Sequence, residues 1–133
     1  MSNRNIQDAS FTVTRALPTA DGTVTSTDFD LQTVTPGVVL EGIELVVEMP
    51  ALTATHLPSA DTLTLTVQSG ASATPSTSTQ ITKLITGTGS TIAAQTFRFR
   101  LPPDCARYVN VKFVAAGGTG DISGVSATLS LRF

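Results

Sequence analysis

The chain has 133 residues, of which 41% are hydrophobic and only 14% charged, with a formal net charge of −2. That length suits one domain able to bury a core of its own. The near-neutral balance supplies no basic footprint for nucleic acid or a membrane surface, and hydrophobicity this high does not fit general disorder.

Met1 to Ala9 is polar and reads as an N-terminal arm ahead of a domain spanning residues 10–133. It has no apolar centre, so no signal peptide is expected and synthesis in a cytoplasm is. Phe11, Val13 and Arg15 alternate with Thr12 and Thr14, the pattern of a strand. Leu17 to Gly22 is a connection with Asp21-Gly22 as its turn signal. Thr27 to Val34 is expected as a second strand with Phe29 and Leu31 inward, closed by Thr35-Pro36-Gly37. Val39 to Met49 is the most apolar run: Ile43, Leu45, Val47 and Met49 share one face, Glu44, Val46 and Glu48 the other.

Pro50 to Ala60 holds two prolines and no period, so it is expected as a long connection. Asp61 to Ser69 alternates Leu63, Leu65 and Val67 with Thr62, Thr64 and Thr66, which predicts a strand with a threonine-lined wet face. Gly70 to Ser78 is a loop by composition. Thr79 to Thr86 is a further strand in which Ile81 and Ile85 compete with Leu84 for the core.

Gln95 to Ala116 is the centre of the pattern, with three of the six Phe and the one Tyr. Phe97, Phe99 and Leu101 alternate with Thr96, Arg98 and Arg100; beyond Pro102-Pro103, Val109, Val111 and Phe113 alternate with Tyr108, Asn110 and Lys112. The expectation is a hairpin folded about a tight corner, its apolar face at the heart of the core. After Gly117 to Asp121, Leu129, Leu131 and Phe133 mark a last strand against Ser130 and Arg132. About eight short strands and no helical period predict an all-β fold, a single antiparallel β-sandwich of jelly-roll type.

Charge is unevenly spread. Ala16 to Thr82 carries Asp21, Asp28, Asp30, Glu41, Glu44, Glu48 and Asp61 with no Lys or Arg; Lys83 to Phe133 carries six cations against Asp104 and Asp121. Either strands from the two halves pair side by side, or acidic and basic faces meet between molecules.

Motifs for chemistry are weak. His56 is the single histidine and lies in a connection with no nucleophile motif beside it. A Ser-His-Asp triad is a geometry rather than a composition, so a loop histidine is the default reading. Gly117-Gly118-Thr119-Gly120 lacks the Lys-Ser/Thr of a phosphate loop and a helix to follow it. Asp21, Asp28 and Asp30 fall short of the six or more oxygens that calcium takes. Cys105 and His56 alone cannot supply a zinc site, and a lone cysteine most often fills a small buried space. No enzyme activity and no cofactor is expected. Absence of Trp also argues against a carbohydrate platform.

The segment Phe97 to Lys112 resembles the small all-β capsid decoration, or cement, proteins of tailed bacteriophages. In these a leucine–proline, arginine–tyrosine, valine–lysine–phenylalanine pattern precedes a Gly-rich loop and a C-terminal strand. Here it is carried by Leu101, Pro102, Arg107, Tyr108, Val111, Lys112 and Phe113, then Gly117-Gly118 and the run to Phe133. The resemblance is firm over the last third of the chain. It implies a virion component on the capsid exterior, bound to the major capsid protein and cementing neighbouring capsomers. Dimers or trimers are implied, a dimer first. No catalytic residue, cofactor, nucleic acid or membrane comes with it. Phage tail or baseplate domains, and soluble ligand-binding sandwiches, share the same bulk features. The expected partner-binding residues are Arg98, Arg100, Lys112 and Tyr108 on the hairpin's outer face, Glu44 and Glu48 as their acids, and Arg4 on the arm.

Overall fold

A computed structural model describes residues 12–31, 43–71, 78–101, 106–118 and 120–132. The expected arm with Arg4, the Pro102–Cys105 corner and Phe133 lie outside the described residues. The described chain is all β: β1 (Thr12–Ala16), β2 (Thr23–Thr25), β3 (Phe29–Asp30), β4 (Glu44–Met49), β5 (Thr62–Gly70), β6 (Ser78–Thr86), β7 (Gln95–Arg100), β8 (Tyr108–Ala116) and β9 (Ser126–Arg132). They form two antiparallel sheets, ordered β1-β9-β4-β7 and β2-β8-β5-β6, with β3 also on β8. Of consecutive strands only β5 and β6 pair as a hairpin; the other links alternate between sheets, apart from β2 to β3 along one edge. With β2 and β3 counted as one interrupted strand, this is the winding of a jelly roll.

Period-two alternation decides which side chains meet between the layers. The first sheet contributes Leu45, Val47, Met49, Ala127, Leu129 and Leu131; the second contributes Leu63, Leu65, Val67, Val109, Val111 and Phe113, all buried. Connections close the ends with Leu17, Leu52, Leu57 and Ile122, each at most 1% exposed. Leu52 and Ile92 exchange backbone hydrogen bonds of 2.9 and 2.8 Å, which ties the Pro50–Ala60 connection to the strand region ahead of β7. Between β5 and β6, Ile85 takes the core and Leu84 is left outside, 55% exposed.

The expected hairpin does not form. β7 pairs with β4 along all six residues, whereas β8 pairs with β5 in the other sheet. The two strands thus lie in opposite sheets rather than side by side, and the edge strand β7 stands nearest β6, whose Lys83 reaches the Phe97 ring. Their inward residues would alternate identically in either arrangement, so alternation does not tell them apart. Pro102 and Pro103 offer no N–H to a hairpin ladder, a local reason against pairing next to the corner. One consequence is that Phe97 and Phe99, expected as core, stand on an edge strand and are only half-buried. Their rings stack with centroids 6.2 Å apart.

The second expected strand is also revised. Pairing with β8 begins earlier, at Thr23, and breaks at Ser26–Asp28 before resuming at Phe29. Ser26 repairs the break: its N–H donates to the Val111 carbonyl at 2.9 Å, and its buried hydroxyl oxygen accepts the Val111 N–H at 3.0 Å. The hydroxyl thus stands where a strand carbonyl would.

Two stability outcomes follow from these placements. Phe113→Ala removes a fully buried ring and should cost about 3–5 kcal/mol in chemical denaturation, with Phe97→Ala costing clearly less. Equal losses would contradict the edge position of β7. Ser26→Ala leaves the Val111 N–H without its acceptor and should cost about 1–3 kcal/mol. A change within error would show that the hydroxyl is dispensable.

Candidate interaction surface

The outer face of the first sheet collects most of the expected surface residues in ordered rows. Glu44 lies between Arg100 on β7 and Arg132 on β9. In the next row Val46 lies between Arg98 and Ser130, which is followed by Thr12 on β1. In the third, Glu48 lies between Thr96 and Thr128. Glu44 reaches diagonally to Arg98, with Oε2 to Nη1 at 3.7 Å. Among the described residues one carboxylate therefore stands beside three arginines at one end of the sheet, in ion-pair contact with Arg98, and the cations there outnumber it. Val46 and Ser130 are buried although their parity is outward, and the Arg132 Nε is buried without a hydrogen-bond partner among the described residues.

This geometry separates residues that the sequence grouped together. Arg98 and Arg100 share the first sheet with Glu44 and Glu48, but Lys112 and Tyr108 lie on the outer face of the second. The cause is the placement of β7 and β8 in different sheets. Lys112 sits between Thr66 and Thr25, in a face lined by Thr62, Thr64, Thr66 and Thr82. Glu48 faces threonines on both sides rather than the expected cations. Arg132 joins the basic group without having been expected there. Its outward parity is readable from Ser130 and Thr128, but its neighbour Glu44 is not, because register is not written in one strand.

Beside Tyr108 a second ion pair closes the β3–β8 junction. Arg107 Nε and Nη2 donate to the two carboxylate oxygens of Asp30 at 2.7 and 2.8 Å, a bidentate fork. The hydrogen bond to Asp30 is the main cause that raises the Arg107 pKa above its already high ordinary value. The guanidinium carbon lies 5.2 Å from the Tyr108 ring centre. Next along the strand, Asn110 Nδ2 donates to Asp28 at 2.6 Å.

His56 lies close enough to Asp121 to act on its charge, and Ser123 bonds Asp121, but the three do not form a relay. The Ser123 hydroxyl donates to Asp121 at 2.5 Å, not to the imidazole, and His56 Nδ1 accepts the Thr53 N–H at 3.3 Å. No group of three or more potential metal-ligating side chains occurs among the described residues. Asp21, Asp28 and Asp30 accept hydrogen bonds from Gly118, Asn110 and Arg107 respectively. Comparison with known proteins gives no matching family model, no matching curated relative and no matching solved structure.

The Ser123 hydroxyl, then its amide, hold the Asp121 carboxyl below its ordinary pKa. A depressed acid favours the folded loop while ionised; that contribution is present above the unfolded pKa and is lost as pH falls through the folded value. NMR titration should place Asp121 below an ordinary aspartate, and Ser123→Ala should move the midpoint up. An unmoved midpoint would remove Ser123 as the cause.

Proposed function

We propose that this chain is a virion structural protein that binds the outside of a bacteriophage's major capsid protein shell and ties neighbouring capsomers together. A homo-oligomer, a dimer first, is the expected unit. The observation that carries the reading is the run Leu101-Pro102, Arg107-Tyr108, Val111-Lys112-Phe113, which resembles the cement-protein pattern. The jelly-roll winding suits it, because a closed, well-packed sandwich transmits tension between anchor points without needing a catalytic cleft. The surplus of arginine at one end of the first sheet supplies a complement to an acidic shell surface. Exposed ion pairs contribute only about 0–1 kcal/mol each. They set orientation, and apolar contact in the interface supplies most of the affinity.

Particle composition gives the first test. A copy number comparable to that of the major capsid protein is expected, with density on the outer shell in electron micrographs. A few copies confined to the tail would instead favour a tail or baseplate part.

The second test uses purified shells. Arg98→Glu with Arg100→Glu should leave the isolated domain folded and sharply lower shell occupancy. The deficit should be largest at low ionic strength, where screening is weakest. Lys112→Glu, on the opposite face, should leave occupancy near wild type. Full occupancy by the arginine double variant at low and high salt would contradict the assignment of this face.

A further inference from the structure

Among the described residues the two sheets end in four edges, and a free edge invites another strand unless something blunts it. Three of the four are blunted. β1 carries Arg15 at a core-facing parity, opposite the buried Ala127, so a charge stands where an added strand would need an apolar neighbour. β2 and β3 are three and two residues long and are interrupted between them. β6 has a register slip opposite Val67/Gln68 and carries Lys83 at a core-facing parity, opposite Leu65. The Lys83 ammonium reaches across to the Phe97 ring at 5.4 Å.

β7 has none of these devices. Its six residues pair with β4 without a slip, and it contains no proline, glycine or inward charge. Its inward side chains Phe97 and Phe99 are half-buried, which leaves apolar flank exposed at the open side of the sandwich. Its outward side chains place Arg98 and Arg100 two residues apart on one face, with Glu44 the acid opposite them in the same sheet.

We propose that β7 is a docking edge for an extended segment of another protein that carries carboxylates at alternate positions. The segment adds as a further strand of the first sheet. Backbone hydrogen bonds along the free edge hold it, as in other cases of strand addition. Its carboxylates stand beside Arg98 and Arg100 at cross-strand distance, and the intervening apolar side chains cover Phe97 and Phe99. A second copy of this chain is a poorer occupant. Two-fold pairing about Arg98 sets Arg98 against itself, and pairing about Phe99 sets Arg98 against Arg100, so both oppose like charges; pairing about Phe97 sets Arg98 against Thr96 and supplies no carboxylate to either arginine. The inference deepens the shell-binding reading by saying how the partner is held, and it depends on that reading only for the partner's identity.

The test uses the whole chain and a synthetic peptide of about nine residues, long enough for one strand, that alternates glutamate and valine. Three control peptides are a lysine-for-glutamate version, one of the same composition with the glutamates in a block, and one N-methylated on alternate residues. The alternating acidic peptide should slow hydrogen exchange at the β7 amides that point away from β4 by about ten-fold or more, leaving β1 and β6 unchanged. The controls should not. Arg98→Ser with Arg100→Ser should weaken binding about ten-fold while exchange in β4 and β9 stays slow.

Protection outside β7, equal binding of the lysine peptide, or undiminished binding after N-methylation would overturn the proposal. So would a free protein already paired with itself through β7. Shell binding without peptide binding would defeat strand addition alone; peptide binding without shell binding would support the docking edge and defeat the capsid reading.

Discussion

The structure depends on one constraint: the strands on either side of the Pro102–Cys105 segment belong to opposite sheets. Phe113 and Val111 from β8 and the inward flank of β7 close on the same interior from opposite sheets. Sending β7 to β4 also brings Arg98 and Arg100 to Glu44, and sending β8 to β3 brings Arg107 to Asp30. Had the two strands paired, Arg98, Arg100 and Lys112 would share one face. The winding therefore fixes the charge layout as well as the core.

The same constraint accounts for the uneven charge along the chain. Acidic residues dominate before Lys83 and basic ones after it. A jelly roll repeatedly sets early strands beside late ones: β4 lies between β7 and β9, and β3 lies beside β8. Both ion pairs seen among the described residues join an early acid to a late base. In these two pairs charge segregated in sequence becomes charge paired in space, whereas at the Arg98, Arg100 and Arg132 end the cations outnumber Glu44 among the described residues.

Much of the fold is legible in the sequence because period two is a property of single strands. The inward sets Leu63/Leu65/Val67 and Val109/Val111/Phe113 follow from alternation and are buried. Pairing is not legible, because a strand's pattern fixes its face and not its neighbour. Alternation alone therefore joins β7 to β8, groups Lys112 with Arg98 and leaves Arg132 out. Ser26 cannot be foreseen either: its hydroxyl matters only once a break in β2–β3 lies against Val111. Leu84 and Ile85 compete on nearly equal terms in sequence, and register with Leu63 decides for Ile85.

Backbone nuclear Overhauser contacts in the labelled protein test the central claim most directly. Cross-strand contacts should join Gln95–Arg100 to Glu44–Met49 and Tyr108–Ala116 to Thr62–Gly70, with none between Gln95–Arg100 and Tyr108–Ala116. A ladder of contacts between those last two segments would restore the hairpin, return Lys112 to the face of Arg98, and contradict the placement of β7 and β8 in opposite sheets.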